Sequence, residues 1–376
     1  MRQILRTLGR ALREWRIVPV AALLLGLPLV GVVIMGYPLS RFTEFPPTTR
    51  YVPTAPFSLP IFILMAMGVV VVIATLFLWP LAHWRKKGHP EGNQSGALPP
   101  AAGRRARLLV VAGIFVAGSF WAVSWLDIAV LRRIQLYSFT PLWLGYILFI
   151  NGLTLRRTGR CRLLNQPARL FCLFLVSAAF WWFFEYLNRF VQNWHYSRGS
   201  EMNGLEYFLS ATPPFATVLP AVLCTHDYLA GFPWLERTYR DLPPLPVPRP
   251  RLLAWVALLI SCGALTMIGV WPHLLYPMLW VAPLLIIVSI NVLSGRNHVF
   301  CGLRNGDWRR IVSLALAALI CGFLWEMWNY CSYAKWQYTI PYVQVLHIFE
   351  MPLLGYAGYL PFGLECYTIA KLFKLA

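Results

Sequence analysis

The stretch Trp325-Glu326-Met327-Trp328-Asn329-Tyr330 ends a long apolar segment of the chain. Glu326 and Asn329 are three residues apart, so a helix places their side chains on one face. A loop containing Trp336 and Tyr338 follows, and after it comes a second carboxylate, Glu350. Polar groups at the end of an apolar helix, next to aromatic residues, indicate a site near the boundary of a membrane.

An earlier part of the chain repeats this pattern. Glu185 and Asn188 precede a loop with Trp194 and Tyr196, and Glu206 follows. The offset is 141 residues for the Glu and Asn pairs and 142 for the Trp and Tyr pairs. Further residues match at the same spacing, namely Asn151, Cys161 and Asn165 with Asn291, Cys301 and Asn305 at 140, and Pro220 with Pro361 at 141. This periodicity predicts two copies of one four-helix unit.

The composition is that of a membrane protein. Of 376 residues, 58% are hydrophobic and only 12% are charged, about half the charged fraction of soluble domains. Apolar blocks of about 20 residues are long enough to cross a hydrocarbon layer of about 30 Å. We therefore predict an all-α polytopic membrane protein with about ten transmembrane helices. The predicted spans are 17–36, 61–82, 108–130, 138–155, 169–190, 208–230, 251–270, 273–293, 311–331 and 347–370.

These spans divide the chain into four parts. Residues 1–107 contain two N-terminal spans and a basic linker, and residues 108–234 form the first four-helix repeat. Residues 235–250 are a proline-rich linker, and residues 251–376 form the second repeat. An even number of spans per copy predicts that both copies have the same orientation in the membrane, as in parallel repeats.

The positive charge of the chain indicates its topology. The net charge is +19, and 26 of the 33 Lys and Arg residues lie in six segments that alternate with poorly charged ones. Basic loops stay on the cytoplasmic side. We therefore predict a multi-pass protein of the cell (inner) membrane with cytoplasmic termini, and with both motifs near the external face. This alternation argues against nucleic acid as the partner of the basic residues. Their expected partner is the membrane lipid bilayer.

The acids within apolar segments are the candidates for chemistry, because an ionised carboxylate there must be paired or face a polar cavity. We expect Glu185 and Glu326 to face one common polar cavity, and the candidate catalytic residues are Glu185, Glu326, Glu350 and Glu206. Candidate substrate-binding residues are Asn188, Asn329, Trp182, Trp325, Trp328, Trp336 and Tyr338. The alternative is that these acids only fix helix packing and that the aromatic residues only mark the interface. Packing is the preferred interpretation for Glu206 and Glu350, which lie at the start of predicted spans, and for the unmatched acids Asp127, Asp227 and Glu365.

No metal or cofactor is expected. The histidines lack the spacing of metal ligands, and the chain has no glycine-rich phosphate loop and no nucleophile elbow. Its eight cysteines include no Cys-x-x-Cys pair, so a disulfide framework is not predicted either.

A helix that ends in Glu, a Trp-x-Tyr loop and an acidic segment with proline together resemble the non-flavin, integral-membrane lycopene cyclase domain. The resemblance covers about 35 residues of each copy. It implies that Glu185 and Glu326 correspond to the helix-end acid of that family, and Phe349-Glu350-Met351-Pro352 to its acidic motif. In that family proline is followed by paired acids, whereas here one Glu precedes Pro352. The implied activity is protonation and cyclisation of a polyene.

Three functions remain open on the sequence. The first is acid–base chemistry, such as cyclisation or hydration, on a lipophilic isoprenoid-like small molecule near the external face. The second is a proton-coupled transporter built from parallel repeats. The third is a non-catalytic membrane subunit or assembly factor.

Overall fold

Apolar helices dominate the chain, of which this computed structural model describes residues 7, 9, 14–86, 100–126, 128–197 and 202–376. The main helices are α1 (Ile17–Ile34), α2 (Leu59–Ile73), α3 (Pro100–Trp125), α4 (Phe139–Thr158), α5 (Pro167–Val191), α6 (Gly204–Phe215), α7 (Val218–Ala230), α8 (Pro250–Met267), α9 (Met278–Leu293), α10 (Arg309–Tyr330) and α11 (Tyr359–Leu372). Shorter α-helices are Ser40–Thr43, Trp79–Lys86, Arg132–Gln135, Arg162–Asn165, Pro233–Tyr239 and Pro272–Leu275. A π-helix (Ala74–Leu78) continues α2, and 3-10 helices cover Ala129–Leu131, Cys301–Asn305 and Leu353–Gly358.

Within the described ranges, seven helical segments are long and apolar enough to cross a membrane. They are α1, α2 with its extension to His83, α3, α5, α6 together with α7, α8 and α10. An eighth is added if α4 and the helical segment before it, which meet at 62°, form one span. The prediction of an all-α, multi-pass membrane protein is confirmed. The predicted number of ten spans stays a prediction. Asp127 and the linker residues 87–99 lie outside the described residues.

The end of the chain corrects one predicted boundary. The tenth span was expected at 347–370, but α11 begins only at Tyr359. Two short strands, β3 (His347–Ile348) and β4 (Met351–Pro352), pair antiparallel before it, and the 3-10 helix follows. Glu350 therefore lies in a hairpin turn and not at the start of a transmembrane helix.

Pro220 and Pro361 both lie at the third position of a helix, in α7 and α11. Both residues fall within predicted spans, 208–230 and 347–370, where a proline in the helix interior bends the helix. Proline is tolerated in the first turn of a helix, because the N–H groups of that turn have no hydrogen-bond acceptor within the helix. The two prolines therefore lie in the first turns of α7 and α11. Helix α7 still continues the span that begins with α6, whereas α11 follows a strand pair and a 3-10 helix.

The buried centre brings the two predicted repeats together. Helices α7 and α10 lie against each other, with α5 packed on α7 and α11 packed on α10. The loops after α5 and α10 also meet, because β1 (Trp194–Tyr196) pairs antiparallel with β2 (Trp336–Tyr338). This strand pair closes one end of the helix bundle.

Glu14 and the C-terminal residues, which are close to the two termini in sequence, lie at the other end of the bundle. Glu14 is 3.5 Å from the Lys374 ammonium, and Arg162, which precedes α5, donates to the carbonyl of Leu375 at 3.1 Å. The strand β1 follows the opposite end of α5, about 37 Å away along a helix of 25 residues. The termini and the paired loops therefore occupy opposite faces of the molecule.

Candidate active site

Glu185 lies near the end of α5 and is 7% exposed. One of its carboxylate oxygens, Oε1, accepts three hydrogen bonds: from Tyr196 Oη at 2.6 Å, Trp194 Nε1 at 3.1 Å and Trp181 Nε1 at 3.1 Å. Trp181 is one helical turn before Glu185, and the other two donors come from β1. The strand therefore folds back onto the helix that precedes it.

Glu326 occupies the corresponding place in α10 and has no exposed surface. Its Oε1 accepts hydrogen bonds from Tyr338 Oη at 2.7 Å and from Tyr359 Oη at 2.8 Å. Trp336 Nε1 donates to the Tyr338 hydroxyl at 2.7 Å. The second oxygen, Oε2, is buried and has no partner among the described residues.

Each matched asparagine holds the loop that carries these donors. The Nδ2 of Asn188 donates to the Trp194 carbonyl at 2.8 Å, and its Oδ1 accepts from the Asn193 amide at 2.9 Å. Asn329 makes both bonds to the backbone of Trp336, at 2.8 Å to its carbonyl and 2.9 Å from its amide. The Glu–Asn spacing thus places a carboxylate and a loop clamp side by side on each helix.

The register of the strand pair relates the two halves. Trp194 is opposite Tyr338, Tyr196 is opposite Trp336, and His195 is opposite Gln337 at the centre. Each Trp of one Trp-x-Tyr segment therefore faces the Tyr of the other. A local two-fold axis through the central pair, His195 and Gln337, would relate the two segments in this way.

The two halves differ in the source of one donor to the carboxylate. Four residues before Glu326 the chain has Gly322, where the first half has Trp181. A Cβ atom at Gly322 would come within 2.4 Å of the Tyr359 ring. The glycine therefore leaves room for Tyr359, a donor from α11, to reach Glu326. In the first half the donor comes from the same helix as the acid.

One cavity of about 360 Å³ lies between the two clusters. Its wall includes the donors to both acids, Trp181, Trp194 and Tyr196 from the first half and Tyr338 and Tyr359 from the second. Trp325 also lines it, with its ring 6.1 Å from that of Trp181. The wall is mainly aromatic and aliphatic rather than polar, and the two carboxylates stand behind it. We expected Glu185 and Glu326 to face a common polar cavity. The cavity is instead apolar, and the two acids lie behind the side chains that line it.

The other two candidate acids have partners of their own. Glu206 is exposed at the start of α6, where it exchanges two 3.0 Å hydrogen bonds with Asn203 in a capping box. The Lys335 ammonium is 2.5 Å from Glu350. Neither Glu206 nor Glu350 lines the cavity. Each of these two acids thus has a local partner outside the cavity wall, and their catalytic role stays a prediction.

The predicted aromatic residues separate into two groups. Trp325, Trp336 and Tyr338 line the cavity. Trp182 instead points to α6, with its Nε1 donating to Thr212 at 3.0 Å, and the ring of Trp328 packs 4.9 Å from Trp143. These two tryptophans contribute to helix packing and lie away from the cavity wall.

Several residues of the site were missed by the sequence reasoning. Tyr196 could have been assigned from its match to Tyr338. Tyr359 could not, because its counterpart at the same offset is Val218 and its partner Glu326 is 33 residues away. Tyr207 also lines the cavity, and its buried hydroxyl has no partner among the described residues. Such contacts depend on how the helices pack.

In the described part of the chain, no cluster of three or more His, Cys, Asp or Glu side chains could hold a metal ion. No protein-family model, no curated protein and no solved structure matches this chain. The interpretation of the site therefore depends on its geometry.

Proposed function

We propose that this protein is a membrane enzyme that binds a lipophilic, isoprenoid-like molecule in the aromatic cavity and performs acid–base chemistry on it, as in cyclisation or hydration. One observation carries the proposal: tyrosine hydroxyls that line a single cavity hydrogen-bond to both buried acids, Glu185 and Glu326. We further propose that residues 108–234 and 251–376 are duplicated four-helix units, each of which contributes one acid.

The two acids have different surroundings, which suits an acid and a base. Three donors converge on one oxygen of Glu185, and hydrogen bonds to a carboxylate favour its charged form. Glu326 has two donors and a buried oxygen without a partner, and burial without a donor favours the neutral form. We assign Glu326 as the general acid and Glu185 as the general base.

The reaction balances without an added reagent. A proton from Glu326 passes through the hydroxyl of Tyr338 to one carbon of a double bond, whose π electrons form the new C–H bond. The resulting carbocation is stabilised by nearby aromatic faces such as those of Trp181 and Trp325. A second double bond attacks it to close a ring, and Glu185 then removes a neighbouring proton through Tyr196. The product of cyclisation is an isomer of the substrate, and return of the proton from Glu185 to Glu326 by way of water restores both acids for the next turnover. In hydration, water is a second substrate: its oxygen attacks the carbocation in place of the second double bond and its proton passes to Glu185.

The proposal is tested with the variants Glu326→Gln and Glu185→Gln. We would compare the membrane lipids of cells that carry wild-type protein, either variant or an empty vector by untargeted mass spectrometry. The wild type should produce a lipid that the empty vector lacks, and each variant should reduce its formation by about 10²–10⁴-fold. The matched control is Glu236→Gln, whose carboxylate is partly exposed, pairs with Arg240 and Arg309 and does not line the cavity. Unchanged lipids in both site variants at normal folded yield would refute acid–base catalysis.

A further inference from the structure

We propose that Glu365 hydrogen-bonds a hydroxyl group at one end of a lipophilic ligand that binds in the aromatic cavity. This proposal rests on the proposed function, since it takes the cavity as the ligand site. It replaces the packing role that the sequence alone favoured for this residue.

Glu365 lies in α11 with no exposed surface, and both of its carboxyl oxygens lack a hydrogen-bond partner among the described residues. Buried polar groups are nearly always paired. A carboxyl group without a partner inside a membrane protein therefore indicates a site that a ligand completes. Packing alone would be better served by an apolar side chain of similar size.

The position of Glu365 connects it to the cavity. Pro361 and Phe362 both line the cavity and precede Glu365 by four and three residues on the same helix. They form the adjacent turn of the same helix face, with Cβ atoms about 5–6 Å from that of Glu365. Helical side chains lean toward the N-terminus of their helix, which directs the carboxyl group of Glu365 toward this turn. Phe362 lies in the cavity wall and Glu365 lies one turn behind it on the same helix.

In the first half of the molecule, the residue at the corresponding position has a hydrogen-bond partner. The counterpart of Glu365, 141 residues earlier, is Cys224, whose sulfur accepts a hydrogen bond from Asn151 at 3.2 Å. The counterpart of Asn151 is Asn291, and its side-chain oxygen accepts a hydrogen bond from Arg16 instead. The second half thus has an acid at this position, and the structure shows no bond from Asn291 to it.

The cavity volume limits the size of the ligand. An apolar cavity of 150 Å³ accommodates benzene, which corresponds to about 25 Å³ per carbon atom. At that density, 360 Å³ holds about 14–15 carbon atoms. A neutral carboxyl group and an alcohol form two complementary hydrogen bonds, one donated by each group. The ligand class is therefore an unsaturated alcohol of about 15 carbon atoms, with its hydrocarbon part among the aromatic rings.

The test compares farnesol, a C15 isoprenoid alcohol, with its methyl ether, which can accept but cannot donate a hydrogen bond. Dissociation constants are measured with purified full-length protein by tryptophan fluorescence. The wild type should bind the alcohol about 3–10-fold more tightly than the ether, the usual value of one neutral hydrogen bond. Glu365→Leu and Glu365→Met should each abolish this preference while retaining ether binding. Glu365→Gln and the surface control Glu236→Leu should keep it.

A thermal melt provides a second readout. Because Glu365→Leu removes an unpaired polar group from the interior, its melting temperature without ligand should be equal to or higher than that of the wild type. If wild-type protein binds the ether and the alcohol equally, Glu365 does not bind the hydroxyl group of the ligand, although the cavity remains a ligand site. If wild-type protein binds neither compound, both this inference and the proposed ligand class fail. Equal loss of both ligands in the Leu and Met variants would return Glu365 to a packing role.

Discussion

At the scale of single residues, an asparagine three positions after each buried acid determines where the aromatic donors lie. Asn329 is completely buried and bonds both backbone groups of Trp336, and Asn188 holds the Trp194 loop in a similar way. The clamp fixes Tyr338 over Glu326, because only one residue separates Trp336 from Tyr338. The amide residues are therefore positioning residues, although the sequence pattern groups them with substrate-binding residues.

We expect Asn329→Ala to lower the free energy of unfolding by about 1–3 kcal/mol, because the backbone groups of Trp336 lose their partners. Unfolding of the purified protein in detergent, monitored by circular dichroism, measures this change. The control Asn305→Ala alters an exposed residue at the opposite face and should have little effect. Equal stabilities of the two variants would show that the clamp does not hold the loop.

At the scale of elements, the pairing of β1 with β2 joins the two halves directly above the cavity. The side chains of His195 and Gln337 lie on the same side of the pair, with His195 Nε2 3.3 Å from Gln337 Oε1. Backbone bonds extend the ladder on both sides, from Ser197 to Lys335 and from Thr339 to Asn193. Three residues per strand form a short ladder, so its stability depends on the two asparagine clamps and on the tyrosines that bond to the acids.

A disulfide tests this pairing. Directly opposite residues in an antiparallel pair have Cα atoms about 5.5 Å apart, which suits a disulfide. We expect the double variant His195→Cys/Gln337→Cys to cross-link upon mild oxidation. A specific protease site placed in the exposed linker 243–250 would then yield one band on a non-reducing gel and two bands after reduction. Each single-cysteine variant is a control and should yield two bands throughout. Two bands from the oxidised double variant would contradict the register.

At the scale of the whole molecule, the termini and the strand pair lie at opposite ends of the helix bundle. The basic residues Arg16, Arg296 and Lys374 surround Glu14 at the end that holds the termini. The positive-inside rule predicts that this end faces the cytoplasm. The cavity would then open near the external face, where a lipophile can enter from the outer leaflet.

Cysteine labelling tests this orientation. In a Cys331→Ser background, His347→Cys should react with a membrane-impermeant maleimide in intact cells, since His347 is exposed in the hairpin beside the cavity. Arg304→Cys, at the end that holds the termini, should react only after the membrane is broken. The reverse pattern would show that the cavity faces the cytoplasm.

The sequence by itself determined the class of the protein and the position of most helices. Hydrophobicity over about 20 residues is a property of consecutive residues, so α1, α5, α8 and α10 lie close to the predicted spans. The Glu–Asn pairs were also readable, because helical neighbours three residues apart share a face whatever surrounds them.

Tertiary structure alone decided which residues meet. Glu206 caps a helix, Trp182 faces α6 and Tyr359 bonds to Glu326, although all three belong to similar acidic and aromatic stretches. The start of α11 was also misplaced, because the apolar residues before it form a hairpin and a 3-10 helix above the cavity. Apolar character shows that a residue avoids water, but not which partner it contacts. The partner depends on packing between distant segments, as Gly322 shows by making room for one tyrosine ring.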